Sequence, residues 1–115
     1  MSGQGRFEDH RGVIQDWLGP IDSVTRITTV KDAVRGNHVH HKTTQWTLVL
    51  TGSLLMASGN GQAVMGPMDV IKHDPGDPHA WKALEDTDCL VFTRGPRAGD
   101  QYETDTIRLA EPLLS

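Results

Sequence analysis

Three histidines and one glutamine carry the clearest chemistry in this sequence. His38 and His40 lie two residues apart in GNHVHHKTTQW, and His79 follows the turn sequence DPGDP. Successive side chains of a strand point to opposite faces, so His38 and His40 can share one metal ion while His41 faces away. Three neutral imidazoles with one oxygen ligand suit zinc, iron, nickel or copper. The spacing therefore indicates a metal site with positions left for water or substrate.

Gln45 is the candidate for the oxygen ligand. If HKTT bends the chain, Gln45 opens the returning strand and faces the same interior as Thr47, which makes Thr47 a pocket candidate. The alternative for Gln45 is a buried amide satisfied by backbone groups. The histidines have alternatives as well. His38 and His40 could form a surface pair on an edge strand, and His79 could be a simple turn residue.

Three further side chains are candidates for contact with a substrate. Arg26 alternates with Val24 and Thr28 in SVTRITTV, so if these two face the interior, Arg26 offers a cation to an anionic group. Its alternative is a surface charge on an edge strand. Trp81 could stack on a substrate and the Tyr102 phenol could donate a proton at the mouth of the fold. Ordinary packing is the alternative for both.

Short strands must position these side chains, because glycine and proline interrupt the chain about every ten residues. Gly19-Pro20 is expected to join the first two strands, and SGNG at 58–61 is a strong hairpin signal. Only the stretch 106–115 lacks a clear strand or helix signature. The pattern predicts one all-β domain over residues 1–115, with a core of about 12–95, built as a sandwich or a barrel. The predicted strands lie at 12–18, 23–30, 35–40, 45–51, 53–58, 62–66, 68–73, 79–84 and 87–93.

The composition limits the classes of function. A chain of 115 residues with 23% charged residues fits one soluble domain. A net charge of −4 without a basic stripe argues against a nucleic-acid partner. No apolar run approaches the ~20 residues of a membrane-spanning helix, and the N-terminus lacks the apolar segment of a secretory signal, so we expect a cytoplasmic protein with no membrane partner. Cys89, the only cysteine, is expected to be a small buried hydrophobe and not a nucleophile.

Trp46, Leu48 and Leu50 are predicted to form an apolar stripe on the outer face of their strand. A solvent-exposed stripe that contains tryptophan is unfavourable, so something must cover it. We expect a second copy of the chain to do so, which makes the protein a homodimer. The alternative is packing within the chain against Trp17 and Leu18.

The spacing of the candidate ligands resembles that of the cupin family. The first cupin motif, in which a histidine pair, a glutamate and a closing glycine carry the metal-binding hairpin, is matched by Gly36, His38, His40, Gln45 and Gly52. The second motif is matched by Gly66 and by Pro75-Gly76-x-x-His79, with a longer spacing than usual between its first two positions. The resemblance implies a double-stranded β-helix, that is a jelly-roll barrel, with one divalent metal ion inside it: zinc, iron, nickel or manganese. Because glutamine stands at the glutamate position, the fourth ligand would be neutral.

A narrower resemblance concerns AVRGNHVHHKTTQ, which looks like the sugar-nucleotide branch of the cupins. That branch includes 3,5-epimerases and 3,4-ketoisomerases of nucleotide-linked keto-sugars and the metal-binding C-terminal domains of capsular polysaccharide enzymes. In the ketoisomerases the paired histidines are implied to be acid/base groups without metal, a role that would fall here to His38 and His40. The resemblance implies an isomerase or epimerase acting on a keto-sugar or a similar small carbonyl substrate. Two alternatives stay open: an iron-dependent dioxygenase, and a non-catalytic module that binds a sugar or another small molecule.

Overall fold

The computed structural model describes residues 3–18, 20–96 and 99–115, without the side chains of residues 3–6, 13, 15–18, 99, 100 and 102. Within that part of the chain it forms short antiparallel strands and one helix of 7 residues. Their bounds are β1 (Gly3–Asp9), β2 (Gly12–Leu18), β3 (Ser23–Thr29), β4 (Val34–His40), β5 (Thr44–Thr51), β6 (Leu54–Ser58), β7 (Gly61–Met65), β8 (Val70–His73), β9 (His79–Ala83), β10 (Thr87–Arg94), α1 (Gly99–Asp105) and β11 (Thr106–Arg108).

Two antiparallel sheets enclose the core. Their strand orders are β3-β10-β5-β8 and β11-β4-β9-β6-β7. Val49 and Val91 from the first sheet pack against Leu54, Met56 and Trp81 from the second, and all five side chains are buried. Burying apolar faces of two sheets against each other is the main favourable term for such a fold. The predicted all-β class is confirmed, and the facing sheets adopt the jelly-roll arrangement.

The predicted strands between residues 12 and 93 are present, with ends that shift by up to two residues. The hairpin predicted at 58–61 is confirmed, since Ser58 pairs with Gly61 between β6 and β7. Alternating polar and apolar residues identified these strands because each has one face toward the core. The β10 burial pattern shows this alternation along its whole length.

Three features differ from the sequence predictions. The strand β1, which was not predicted, pairs with β2 in a separate two-stranded sheet, and β3 pairs with β10 in another sheet. Few β-branched residues mark β1, whose turn is closed by the Asp9 carboxylate accepting a hydrogen bond from the Arg11 amide at 2.8 Å. The helix α1 is too short for a helical period to show, and β11 has only 3 residues.

Gly19, which was expected to form the turn between β2 and β3, lies outside the described residues. Among the described residues, no helix has the length and apolar character needed to cross a membrane.

The apolar stripe on β5, which was expected to be covered by a second copy or by the chain itself, is buried within the single chain at two of its three residues. Trp46 and Leu48 are 5% and 4% exposed in the single chain, and only Leu50 remains half-buried. Lys72 on the neighbouring strand β8 places its ammonium 5.9 Å from the centre of the Trp46 ring. The single chain therefore already covers most of this stripe, which removes the argument for a dimer partner on this face. The homodimer stays a prediction, and the side chains of Trp17 and Leu18 lie outside the described residues.

Candidate active site and metal centre

A β-bulge in β4 places the first histidine. Gly36 pairs with Ala80 of β9, the register then shifts, and His38 pairs with His79. Gly36 has a φ of +89°, and a Cβ at that position would lie 2.9 Å from the carbonyl oxygen of His79. Only glycine combines this left-handed backbone with so close an approach of β9. The glycine before the histidine pair thus sets the distance between the two strands that carry the site.

The three predicted histidines converge on one point. The Nε2 atoms of His38 and His79 are 3.1 Å apart. One ring nitrogen from each of His38, His40 and His79 falls in a group whose members lie within 4.8 Å of one another. His40 and His79 are 5% and 1% exposed, so the group lies inside the barrel. The strand β4 lies between β11 and β9, so His38 and His40 do not form a pair on an edge strand. His41 is exposed, as its opposite facing predicted.

Hydrogen bonds on the outer side of the rings orient two of these histidines. Nδ1 of His79 lies 3.4 Å from the carbonyl oxygen of Asp77, which can only accept, so this nitrogen carries the proton and Nε2 carries the lone pair. Nδ1 of His40 lies 3.0 Å from the Thr106 hydroxyl and 3.8 Å from the Asp105 carboxylate. The carboxylate favours a proton on that nitrogen too, which leaves the lone pair of His40 on Nε2.

Asp105 is a buried carboxylate that the sequence analysis did not identify. It is 4% exposed at the end of α1. It accepts a hydrogen bond from the Thr43 hydroxyl at 2.6 Å and from the Lys42 amide at 2.5 Å. These donors hold the carboxylate in place beside His40, where a negative charge stabilises a protonated imidazole. His40 and Asp105 thus have the geometry of a histidine–carboxylate pair that can take up and return a proton.

Burial favours the neutral form of His79 and of a fourth histidine, His73. It lowers the pKa of His79 to about 3, with further lowering from the nearby rings of His73 and His38. The pKa of His73 is also lowered, chiefly by burial, although the Asp77 carboxylate opposes this shift. A neutral imidazole is the form that binds a metal ion or accepts a proton.

The donor set fits a divalent metal ion. Two zinc-bound nitrogens at 2.0–2.1 Å from a tetrahedral ion are separated by about 3.3 Å. The Nε2 atoms of His38 and His79 are already 3.1 Å apart, and His40 lies close enough to complete a group of three. Gln45 is 7% exposed and lines the same cavity, while its amide nitrogen lies 3.4 Å from the Thr47 hydroxyl. These residues suit a transition metal such as zinc, iron, nickel or manganese.

The histidines open into a cavity of about 200 Å³ between the two sheets. Its wall is mixed, with polar groups near the histidines and apolar side chains such as Ile27 and Val91 opposite them. A cavity of this character suits a small polar molecule with one apolar face. Six of the side chains that line the cavity are candidates for binding or proton transfer: Arg35, His38, His40, Gln45, His79 and Trp81.

Trp81 lines this cavity, whereas two other predicted pocket residues do not. Arg26 is a correction: its side chain is 68% exposed on the outer face of β3 and is paired with Asp88 at 2.9 Å. The inward face of β3 carries the odd-numbered residues instead, including Ile27. Thr47 is also a correction, because it is fully buried and is not among the residues that line the cavity. The side chain of Tyr102 lies outside the described residues.

Arg35 is the cation that sequence reasoning missed. It lies on β4 directly before Gly36 and reaches the cavity. Its Nε donates to the Thr29 hydroxyl at 3.1 Å and its Nη2 to the carbonyl of Thr28 at 2.9 Å. The Trp81 indole nitrogen donates to the same hydroxyl at 3.3 Å, so Thr29 holds both side chains. The sequence does place Arg35 three residues before His38. Strand alternation alone, however, does not indicate that a residue at this position reaches the cavity.

Comparisons with known proteins point to one fold. No family model and no curated protein sequence matches this chain. Among solved structures, a double-mutant 3,4-ketoisomerase from Thermoanaerobacterium thermosaccharolyticum in complex with TDP is 27% identical, over 90% of this chain and 82% of that one, with a TM-score of 0.71. A dTDP-4-dehydrorhamnose 3,5-epimerase from Sulfolobus tokodaii is 18% identical, over 84% of this chain and 70% of that one, with a TM-score of 0.67.

A third likeness is to part of a longer protein. The capsular polysaccharide assembling protein CapF from Staphylococcus aureus is 18% identical, with a TM-score of 0.63. The match covers 93% of this chain and 34% of that one, so the chain spans about a third of its length. The two facing sheets and these likenesses together identify the fold as the cupin jelly-roll barrel of the type found in sugar-nucleotide ketoisomerases and epimerases.

Proposed function

We propose that this chain isomerises or epimerises a keto-sugar carried on a nucleotide. The observation that carries the proposal is a buried histidine with its own carboxylate, His40 with Asp105, facing a small cavity beside two further imidazoles. The solved structures named above include a sugar 3,4-ketoisomerase with TDP and a sugar-nucleotide 3,5-epimerase, which supports the same class of substrate.

Proton transfer at carbon is the reaction step that this geometry supports. Nε2 of His40 takes a proton from the carbon beside the sugar carbonyl; the C–H electron pair forms a C=C bond and the carbonyl π pair moves onto the oxygen, which gives an enolate, or an enediolate where that carbon bears a hydroxyl. Return of the proton to the former carbonyl carbon, with transfer of the hydroxyl proton to the former carbonyl oxygen, moves the ketone by one position, whereas protonation of the same carbon by a second acid on the opposite face inverts it. The Asp105 carboxylate stabilises the imidazolium that exists between the two transfers.

Arg35 and Trp81 are assigned to substrate binding in this proposal. A guanidinium at the cavity wall suits the negative charge of a diphosphate, and its two hydrogen bonds to β3 fix its direction. Trp81 lines the cavity but is 4% exposed, so only a small part of its ring is available to contact a sugar.

A metal ion is a second use of the same residues. We propose that His38, His40 and His79, with Gln45 as fourth ligand, hold one divalent ion, because their ring nitrogens already lie within 4.8 Å of one another. Such an ion would supply Lewis-acid polarisation of the substrate carbonyl. A His40 that ligates an ion has no lone pair for a proton, so ligation by His40 and proton transfer by His40 exclude each other. Metal content therefore decides between the two mechanisms.

The test combines elemental analysis with exchange of substrate hydrogen. Tag-free protein is analysed for zinc, iron, nickel and manganese, and is then incubated with a nucleotide-linked 4-keto sugar in D2O. Deuterium at the carbon beside the carbonyl, observed by NMR, reports proton abstraction whatever the final product. His40→Asn should slow this exchange by about 10²–10⁴-fold as expected for loss of a general base, and exposed His41→Asn should leave it unchanged.

Each outcome has one meaning. Exchange in metal-free protein supports proton transfer by His40. One ion per chain that is lost in His38→Ala and His79→Ala supports the metal centre and moves the base to another group. Iron with oxygen uptake and without exchange would replace the isomerase by a dioxygenase. Nucleotide-sugar binding without exchange or oxygen uptake would make the protein a binding module.

A further inference from the structure

A fourth histidine lies behind the three that face the cavity. His73 ends β8 opposite Gln45 of β5 and is 1% exposed. Its ring stacks on that of His79, with centroids 4.3 Å apart and planes inclined by 17°. The sequence alone gave no partner for His73. Its partner, His79, lies beyond a turn of five residues, and only the folded turn brings the two rings together. The stacking fixes the plane of the His79 ring.

Asp77 connects the two stacked rings. Its carboxylate Oδ2 lies 3.4 Å from Nδ1 of His73, while its carbonyl oxygen lies 3.4 Å from Nδ1 of His79. The other carboxylate oxygen accepts a hydrogen bond from the Gly59 amide at 3.1 Å, which anchors Asp77 to the β6–β7 turn. Both acceptors require protons on the facing nitrogens, so the two rings have the same tautomer.

His73 leaves one buried polar atom without a partner. Among the described residues, its Nε2 makes no hydrogen bond. An unsatisfied buried polar group destabilises the folded chain, and phenylalanine would fill a similar space without that cost. Because an apolar ring would pack equally well at this position and be more stable, packing alone does not explain why histidine is present at position 73. Phenylalanine lacks both ring nitrogens, and of the two Nδ1 is the one that meets the Asp77 carboxylate.

We propose that His73 and Asp77 are positioning residues that hold His79 in one ring plane and one tautomer, with its Nε2 lone pair directed at His38. His73 supplies the stacking surface and ties down the Asp77 side chain. Asp77 then presents its carbonyl to His79. This arrangement serves a metal ligand and an acid/base group equally, so the inference does not depend on which use of the cavity is correct.

The tautomer of His79 is the direct readout, and it can be measured in metal-free protein. Imidazole ¹⁵N shifts distinguish a protonated nitrogen from one that carries a lone pair. In the parent we expect His79 with its proton on Nδ1. In His73→Phe, which keeps the stacked ring and loses the donor, the ratio of the two His79 tautomers should fall about fivefold, the change that corresponds to one ordinary hydrogen bond.

A second pair of variants gives a matched control within one turn. Asp77→Ala keeps the carbonyl but removes the carboxylate that holds it, so the tautomer ratio should fall as in His73→Phe. Asp74→Ala removes a carboxylate of the same turn that pairs with Lys72 at 3.1 Å and is 71% exposed, and it should leave the ratio unchanged. The Asp77→Ala result stands by itself if His73→Phe does not fold.

Binding of cobalt(II), followed by its absorption, adds a readout in the same proteins. Loss of a group that orients a ligating histidine typically weakens metal affinity by about 10–100-fold. An unchanged tautomer ratio in both His73→Phe and Asp77→Ala would overturn the inference, even if the parent binds cobalt tightly. A changed ratio in a parent that binds no cobalt would support the inference and refute the metal centre alone.

Discussion

Neutral His79 makes the metal-free protein sensitive to acid. Burial and the neighbouring imidazoles lower the pKa of His79 to about 3 in the folded chain, whereas a histidine in an unfolded chain titrates near the model value of 6.5. As the pH falls, the unfolded chain binds a proton that the folded chain does not. The contribution of His79 to the free energy of unfolding is therefore fully present above pH 6.5 and is lost as the pH falls toward 3.

The size of this effect follows from the two pKa values. One pKa unit corresponds to about 1.4 kcal/mol, so a shift from 6.5 to about 3 amounts to roughly 5 kcal/mol once the pH is below both. Between pH 7 and pH 5 the loss is about 2 kcal/mol. This smaller value depends only on the unfolded pKa, because at pH 5 the folded ring stays neutral for any folded pKa below about 4.

Urea unfolding in the presence of EDTA at pH 7, 6 and 5 measures the effect. We expect the free energy of unfolding of the parent to fall relative to that of His79→Asn by about 2 kcal/mol between pH 7 and pH 5, since asparagine does not titrate. His41→Asn, which removes an exposed histidine three residues from His38, should follow the parent.

Two results would refute the reasoning. Parent and His79→Asn curves that stay parallel within about 0.5 kcal/mol would mean that the folded and unfolded pKa values of His79 are alike. The same conclusion would follow if NMR showed the His79 ring of the folded, metal-free parent titrating near its unfolded pKa. The second measurement needs no variant, so it decides the matter even if His79→Asn does not fold.

Three further predictions concern the surroundings of the site. Gly36→Ala should lower the free energy of unfolding, measured by urea denaturation, by about 2–4 kcal/mol. The new Cβ would lie 2.9 Å from the carbonyl oxygen of His79, and the backbone at this position is left-handed. An unchanged stability would mean that β4 and β9 can separate freely. Cys89 is fully buried, and burial raises the pKa of its thiol to about 11. A thiol reagent at pH 8 should therefore label Cys89 only when the chain unfolds. The contribution of the neutral thiol to the free energy of unfolding is present below pH 9 and should be lost as the pH rises toward 11. Asn37→Gly can keep the backbone φ of 58° but removes the side-chain hydrogen bonds to the backbones of Leu113 and Leu114 at 2.8–3.2 Å. Hydrogen exchange of the backbone amides of residues 109–115 should therefore accelerate by about tenfold or more. Unchanged protection would show that the Asn37 side chain does not hold this segment.

The histidines of the cavity could be predicted because their signals are local. His38 and His40 need only the alternation of a strand to share a face, and β4 supplies it despite the bulge before His38. His79 needs a turn that begins a new strand, and the Pro-Gly-containing segment before β9 supplies that. The distance between these two strands, by contrast, follows from Gly36, whose close approach to His79 involves a residue 43 positions away.

Arg26 shows where alternation alone fails. The strand β3 has β-branched residues on both faces, so its pattern gives no preference for the inward set. The choice depends on pairing with β10, which brings Asp88 to Arg26 across 62 residues of sequence and stabilises the cation on the outer surface. Arg35, in the strand next along the chain, is exposed but lines the cavity, the role that Arg26 was expected to have.

The groups that act on the histidines are harder to predict than the histidines themselves. Asp105 meets His40 from the end of a seven-residue helix, and Thr106 is brought to the same ring by the pairing of β11 with β4. Neither contact has a periodic signature, because each depends on the register of a terminal strand of three residues. A sequence pattern thus locates ring nitrogens that can bind or transfer a proton, but the tertiary register decides which nitrogen carries the lone pair and which ring has a carboxylate. In this chain the C-terminal segment gives His40 the carboxylate of Asp105, whereas the local turn before β9 gives His79 only the carbonyl of Asp77, which is why we propose His40 as the group that transfers the proton.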